Sequence, residues 1–293
     1  MNIGFVGIIL GDSEIKMKSC RLKNASESRL REIISFNLNT LDLMLDYLIK
    51  NEIRLFRISS DIIPFGSHPA NNLNWQEEFK EEFKRLGKKA IKNNIRLSMH
   101  PGQYTILSSQ NESLTLKSFQ DLIYHSKVLD LMNLPPSHKL ILHIGGVYND
   151  KQNAMNTFIK NYSLLPKNIK RRLVIENDDR CYTASDVLEI SKKIKCPVVF
   201  DYLHYLLNHY EHEQDPVKML QLCRDGWNEA DGTQKIHYSQ QAENKKLGSH
   251  SDTIDPIQFH EFSKILPKDI DVMFEVKDKN LSVLKYKNFL ESL

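Results

Sequence analysis

The sequence predicts a single (β/α)8 barrel, and three observations point to it. Short apolar or β-branched runs alternate with longer amphipathic segments, the order produced by parallel strands and their crossover helices. Eight such units can be counted along the chain. The 293 residues suit one barrel domain spanning 1–293, since barrels of this type commonly reach roughly 250 residues without splitting. Third, histidines and carboxylates recur at the ends of successive strands, where barrels concentrate their chemistry.

The strands are expected at Asn2 to Ile9, Ile53 to Ser59, Ile95 to Met99, Lys139 to Ile144, Arg172 to Glu176, Pro197 to Asp201, Lys235 to Tyr238 and Asp271 to Val276. A helical pattern follows each of them. Leu38 to Ile49 gathers Leu38, Leu41, Leu45, Leu48 and Ile49 on one face, and Trp75 to Ile91 does so with Trp75, Phe79, Phe83, Leu86 and Ala90. Those faces are expected to cover the barrel. Two connections exceed the usual length, and long loops in compact domains are often functional. Leu10 to Phe36 carries Lys16, Lys18, Arg21, Lys23, Arg29 and Arg31, suited to a phosphate backbone, although a solvated surface loop explains them equally well. Ser239 to Asp255 includes Lys245, Lys246 and His250. Both loops fall on the C-terminal face of the strands.

Composition excludes several classes. With 41% hydrophobic and 26% charged residues the chain is neither disordered nor fibrous. A net charge of +3 is too small to argue for nucleic acid unaided, so the partner must be read from the site. Cys20, Cys181, Cys196 and Cys223 form no C-x-x-C pair, against a thiolate zinc site or a disulfide framework. Without an apolar run of roughly 18 residues or a secretory leader, no membrane association is expected, and the location is expected to be cytoplasmic. Nothing demands two copies, so a monomer is expected.

The informative feature is the row of side chains at the strand ends. His100 follows the third strand, His143 lies near the end of the fourth and Glu176 ends the fifth. Asp201 ends the sixth with His204 just beyond it, His237 lies in the seventh and Glu275 in the eighth. Buried parallel strands favour Val, Ile and Leu, so imidazoles and carboxylates there need partners that offset desolvation. Metal ions are the simplest common partner. A lone strand histidine is more often satisfied by a core hydrogen bond, but six strands whose ends converge on one mouth argue for a metal site. His125, His138, His209, His212 and His260 lie in predicted helices or loops away from those ends and read as structural or solvated.

Mixed imidazole and carboxylate donors without cysteine suit Mn2+, Zn2+ or Fe2+. The donors exceed what one ion needs, which implies two or three divalent ions. Ions about 4 Å apart suit in-line displacement at phosphorus, so phosphodiester hydrolysis is the leading reaction. A metal-dependent sugar isomerase or epimerase on the same barrel is the competing expectation, and a non-cutting protein that binds damaged DNA is a third.

The ordered motifs are specific enough to mark a resemblance. FRISS at Phe56 to Ser60, HPGQY at His100 to Tyr104, HIGG at His143 to Gly146, ENDD at Glu176 to Asp179, Asp201 with His204, KIH at Lys235 to His237, His250 with Asp252, and EVKDK at Glu275 to Lys279 together resemble the UV-damage endonucleases. These are relatives of endonuclease IV among the xylose-isomerase-like barrels. The resemblance covers nearly the whole chain. It implies incision immediately 5′ to ultraviolet photoproducts in double-stranded DNA, cyclobutane pyrimidine dimers and 6-4 photoproducts and by extension abasic sites, leaving 3′-hydroxyl and 5′-phosphate ends. It implies a three-metal cluster, most often manganese. His100, His143 and Glu176 would hold one ion, Glu176 would bridge to a second held with Asp201, His237 and Glu275, and His204 with His250 would hold the third.

The resemblance also implies that Lys235 is carboxylated on its amine, that Gln103 and Tyr104 probe the duplex opposite a flipped-out lesion, and that His68 lies near the reactive phosphate. One departure stands in the first strand. Family members often show a tyrosine and then an asparagine at the mouth, where this chain has Phe5 followed by Val6 to Leu10. Phe5 is expected to stack on the lesion without their hydroxyl and amide, which makes lesion range the property most open to change.

Overall fold

The computed structural model describes residues 1–293. Its strands are β1 (Asn2–Gly7), β2 (Leu55–Ile58), β3 (Arg96–Ser98), β4 (Leu140–His143), β5 (Leu173–Glu176), β6 (Val198–Asp201), β7 (Lys235–Tyr238) and β8 (Asp271–Phe274). All seven neighbouring pairs are parallel, in the order β3-β2-β1-β8-β7-β6-β5-β4. A parallel bridge between Met99 and Leu140 closes the ring between β3 and β4. Gly4 is required where β1 meets β2, because a β-carbon there would lie 2.1 Å from Leu55 O.

The helices are α1 (Glu27–Lys50), α2 (Trp75–Glu78), α3 (Lys80–Lys92), α4 (Glu112–Leu131), α5 (Lys151–Ser163), α6 (Lys167–Lys170), α7 (Ala184–Ile194), α8 (Tyr202–Leu207), α9 (Pro216–Arg224), α10 (Pro256–Ser263) and α11 (Asn280–Glu291). None is long and apolar enough to cross a membrane. The first long loop is shorter than its charge pattern implies. Helix α1 begins at Glu27, with Ser26 capping it by accepting from Arg29 N, and buries Leu30, Ile33, Ile34, Leu38, Leu41 and Leu45. Each such side chain contributes about 1.5–3 kcal/mol relative to exposure. Arg29 and Arg31 therefore lie on the outer face of a helix, paired with Glu32 and Glu78 at 2.7 Å, rather than in a free basic loop. The second expected helix is broken at Phe79, whose φ of −111° and ψ of 19° separate α2 from α3.

Strand parity decides what faces the barrel axis. Ile141, Val174 and Val199 form a small buried cluster, separate from the main core, with Trp227 packed against it. Two residues further along the same strands stand His143, Glu176 and Asp201, and side chains two apart share a face. Lys235 lies likewise two residues before His237, and Met273 two before Glu275. The interior is thus an apolar layer, which includes Lys235, beneath a polar layer at the mouth.

Parity also corrects the expectation for Phe5. It shares register with Phe56 and Phe274, whose neighbours Arg57 and Glu275 face inward, so Phe5 faces outward. It is fully buried and meets Phe56 edge-on at 5.2 Å between centroids. Its ring belongs to the wall packing under the helices and is not placed to stack on a lesion.

Beneath the apolar layer three strand starts carry paired charges. Arg96 Nη1 donates to Asp271 Oδ2 at 2.8 Å and Nε to Ser137 O at 2.8 Å. Arg172 donates twice to Asp130 Oδ1, at 2.8 and 2.6 Å, and to Leu134 O at 2.7 Å and Pro135 O at 3.0 Å. Lys139 pairs with Asp231.

Candidate active site

The strand ends bring most of the expected donors together. Three groups, each with atoms mutually within 4.8 Å, form at the mouth: His100, His143 and Glu176; Glu176, Asp201 and His204; Glu176, His237 and Glu275. Glu176 belongs to all three. Its Oε2 lies 3.2 Å from His100 Nε2 and 3.5 Å from His143 Nε2, while Oε1 contacts His237 Nδ1. Asp201 groups with His204 rather than with His237 and Glu275, which differs from the grouping the resemblance implies. His250 stands outside the tight groups, its ring centroid 6.2 Å from that of His204. A cavity of about 460 Å³ opens over this edge of the site, lined by Gln103, His143, Asp178, Asp179, His204 and His250 among others.

Neighbouring groups aim the donors. Pro101 O accepts from His100 Nδ1 at 2.9 Å and Asn177 O from His204 Nδ1 at 3.0 Å, which leaves each Nε2 free to ligate. Asp201 Oδ1 accepts from His204 N at 2.8 Å as the cap of α8. Asn177, fully buried, ties β5 to β6 by donating to Asp201 O and accepting from Asp201 N.

The site is electrostatically unsettled. Burial, reinforced by Glu275 and Asp201, pushes the Glu176 carboxyl well above its ordinary range. Burial also raises Asp201, despite the opposing pull of His204. Burial acts the same way on Glu275, but Arg57, with its Nη2 2.6 Å away, and the neighbouring His237, His250 and His100 together outweigh it and hold that carboxyl well below the usual range. Burial pushes His143 down to about 4 and lowers His100 and His237 strongly, so these imidazoles are neutral, as ligation requires. His204 goes the other way: burial lowers it most, but Asp201, the Asn177 carbonyl, Glu275 and Asp179 together outweigh that burial and raise it. Asp201 Oδ2 and His143 Nδ1 are buried without a hydrogen-bond partner. An orphaned carboxylate oxygen in a cluster that also offers the lowered imidazoles of His100, His143 and His237 fits divalent cations in kind, and the three donor groups fit them in number.

Lys235 is fully buried, and its Nζ has no hydrogen-bond partner. Burial in the apolar layer, followed by the nearby Arg96 charge, drives its amine well below the usual lysine range. Gln103 and Tyr104 are exposed on the loop after β3, Tyr104 at 72%. His68 is not part of the cluster. It is exposed on the loop after β2, accepts from Ala70 N through Nδ1, and lines a separate cavity with Ser60, Asp61, Tyr104 and Tyr124.

Two further site residues carry a signal in the sequence. Arg57, buried between Phe56 and Ile58 in β2, is as anomalous in a barrel strand as the histidines and reaches both Glu275 and His237 Nε2 at 2.6 Å. Asn177 follows Glu176 directly, where a buried amide must bond to something.

A parallel (β/α)8 barrel whose mouth gathers histidines and carboxylates around a shared glutamate is a barrel with a candidate metal centre, and the comparisons narrow the class. The crystal structure of endonuclease IV from Thermus thermophilus superposes with a TM-score of 0.62 at 14% identity over the full length of both chains, a likeness of fold alone. SacUVDE, also known from a crystal structure, superposes with a TM-score of 0.93 at 37% identity, covering 100% of this chain and 98% of that one. The UV DNA damage endonuclease of Clostridium perfringens is 41% identical over 295 residues, which cover 100% of this chain and 71% of that relative. The family model for UV-endonuclease UvdE matches residues 10–293. The chain belongs to the UvdE family of UV endonucleases.

Proposed function

We propose that this chain is a DNA-repair endonuclease that hydrolyses the phosphodiester immediately 5′ to ultraviolet photoproducts in duplex DNA. The observation that carries the reading is Glu176, shared by three groups of donors, one of which holds the partnerless Asp201 Oδ2. His100, His143, Glu176, Asp201, His204, His237 and Glu275 would hold the ions, with His250 completing the outer edge. Manganese is the expected metal. Bound divalent ions would supply a water of lowered pKa and neutralise charge on the phosphate. Asn177, Pro101 O and Arg57 would keep the ligands aimed. Gln103 and Tyr104, raised on the rim, would probe the duplex where the lesion leaves the stack.

Lys235 fits a carbamate. Burial in the apolar layer favours the neutral amine that attack on carbon dioxide requires, and the N–C bond would form with release of one proton. The resulting anion would face Arg96, Arg57 and Lys139, the cations whose charges depress the amine. His68 would act from the rim, apart from the cluster.

The test compares nicking of irradiated and undamaged supercoiled plasmid in Mn2+. Nicks restricted to irradiated DNA and abolished by chelation support the reading, whereas activity that survives complete metal removal overturns it. Retention of irradiated DNA with every phosphodiester intact would instead identify a damage-binding protein. Affinity for the duplex should fall steeply with salt if phosphates are contacted.

A further inference from the structure

Tyr148, on the loop between β4 and α5, is held in a conformation that suits it poorly and receives little burial in return. Asp150 N donates to Val147 O at 2.9 Å, closing a turn whose central residues, Tyr148 and Asn149, have φ of 48° and 63°. Two positive φ angles in succession mark a type I′ turn, which favours Asn and Gly at its centre. A bulky aromatic in that region is a true outlier. Asn149 suits its place; Tyr148 does not. Nor does core packing explain the choice, because Tyr148 is 51% exposed.

The surroundings present the ring rather than bury it. A β-carbon on Gly146 would lie 3.3 Å from Tyr148 Cζ, so the ring rests over that glycine. Gly145, with φ of 112°, has no room for a β-carbon against Ser108 Oγ at 2.5 Å and Ile106 Cγ2 at 2.9 Å, so this loop lies directly against the loop after β3. That neighbouring loop repeats the device: the ring of Tyr104 lies over Gly102, where a β-carbon would come within 2.4 Å of it. Adjacent rim loops, following His100 and His143, therefore each lift one exposed tyrosine over a glycine two residues earlier.

Strain kept at an exposed aromatic points to a ligand with a flat apolar face. We infer that Tyr148 is a second base-stacking residue of the mouth, which packs on a nucleotide unstacked at or beside the lesion while Tyr104 occupies the neighbouring loop. This rests on the proposed activity on DNA. Base stacking on an aromatic ring is sequence-tolerant, as an enzyme directed at damage requires.

The experiment measures affinity of the chelated full-length protein for an irradiated duplex by fluorescence anisotropy, together with nicking in Mn2+, for Tyr148→Gly, Tyr148→Asn and Tyr148→Phe. The Gly and Asn variants suit the turn and should melt at or above the wild-type temperature. Their affinity should fall about ten-fold or more, the loss of one base–aromatic stack, and Tyr148→Phe should restore it. A 2-aminopurine placed at the lesion edge should be quenched by wild type and by Tyr148→Phe, and not by Tyr148→Gly. Wild-type affinity and quenching in the Gly and Asn variants would overturn the inference and leave the nuclease reading intact. Failure of the wild type itself to prefer irradiated DNA would overturn the nuclease reading first.

Discussion

Substituting Glu176→Gln separates the fold from the proposed metal centre, because the same carboxylate burdens one and would serve the other. In the metal-free protein Glu176 is raised well above its ordinary value of 4.5. A carboxyl raised by folding contributes stability that is fully present below the unfolded value and is lost as pH rises through the folded one. Gln mimics the neutral acid, so the metal-free variant should be at least as stable as wild type at pH 5 and more stable at pH 7.5. Metal reverses the order. An ion at a hundred times its Kd stabilises the folded state by about 2.7 kcal/mol, and each kcal/mol moves Tm by roughly 2–4 °C in a chain of this size. Wild type should therefore gain roughly 5–10 °C in Mn2+, and the variant, having lost one anion from all three donor groups, should gain almost nothing. Differential scanning fluorimetry with and without chelator reads both halves, and plasmid nicking adds the third. An equal Mn2+-induced shift in the variant, or undiminished nicking, would refute the central role of Glu176.

The remaining predictions test other levels of the structure. Protein equilibrated with 13C-bicarbonate should show a carbamate resonance that is absent in Lys235→Met, and that variant should stay folded but nick about 10- to 100-fold more slowly, the usual cost of losing support around a metal. Asp130→Asn strands the buried Arg172 guanidinium and should cost about 3 kcal/mol in urea unfolding, the lower end of the range for breaking a buried pair because Asp130 keeps some solvent contact. Burial raises the Asp130 carboxyl, but Arg172 outweighs it and the net value is depressed. Its contribution therefore persists above the ordinary 3.8 and is lost only as pH falls below that through the folded value. Phe5→Tyr would bury a hydroxyl among the helices, costing about 1–3 kcal/mol if it finds no partner, while the ratio of nicking on dimers to that on 6-4 photoproducts stays at the wild-type value.

The barrel and most of its site were legible because the sequence contradicts itself in an informative way. The eight strands begin and end within about two residues of their expected places, since β-branched runs bounded by helical periodicity leave little freedom. His143, Glu176, Asp201 and His237 were visible as polar side chains where packing wants Val or Ile. Arg57 carries the same signal in β2, a buried cation between Phe56 and Ile58. Phe5 was misplaced for a different reason. Conservative likeness to an aromatic at a mouth says nothing of which face of the strand it occupies, and only register with Phe56 and Phe274 settles that. The charges of the first long loop misled because helix α1 starts earlier than its clearest apolar stripe, so Arg29 and Arg31 are spent on its outer surface. Tyr148 was invisible, since nothing in the letters around it reveals a positive φ.

The two ends of the barrel handle buried charge in opposite ways, and the contrast explains what the mouth demands. At the strand starts three cations each meet a carboxylate: Arg96 meets Asp271, Lys139 meets Asp231 and Arg172 meets Asp130, while Lys235 stays without a partner. At the strand ends three carboxylates, Glu176, Asp201 and Glu275, have one ion-paired guanidinium among them, Arg57, whose only carboxylate contact is with Glu275. Buried anions left without cations cannot all remain ionised, and the cost appears as the upward push on Glu176 and Asp201. Protonation relieves it when no metal is present. A divalent ion relieves it without a proton, and it finds neutral imidazoles already aimed at the same point. Holding that imbalance costs stability, and the paired strand starts offset it while keeping the strand ends in register. A phosphodiester meets less repulsion at this mouth once the negative charge there has been answered, so divalent ions should tighten the hold on irradiated duplex beyond that of the chelated protein.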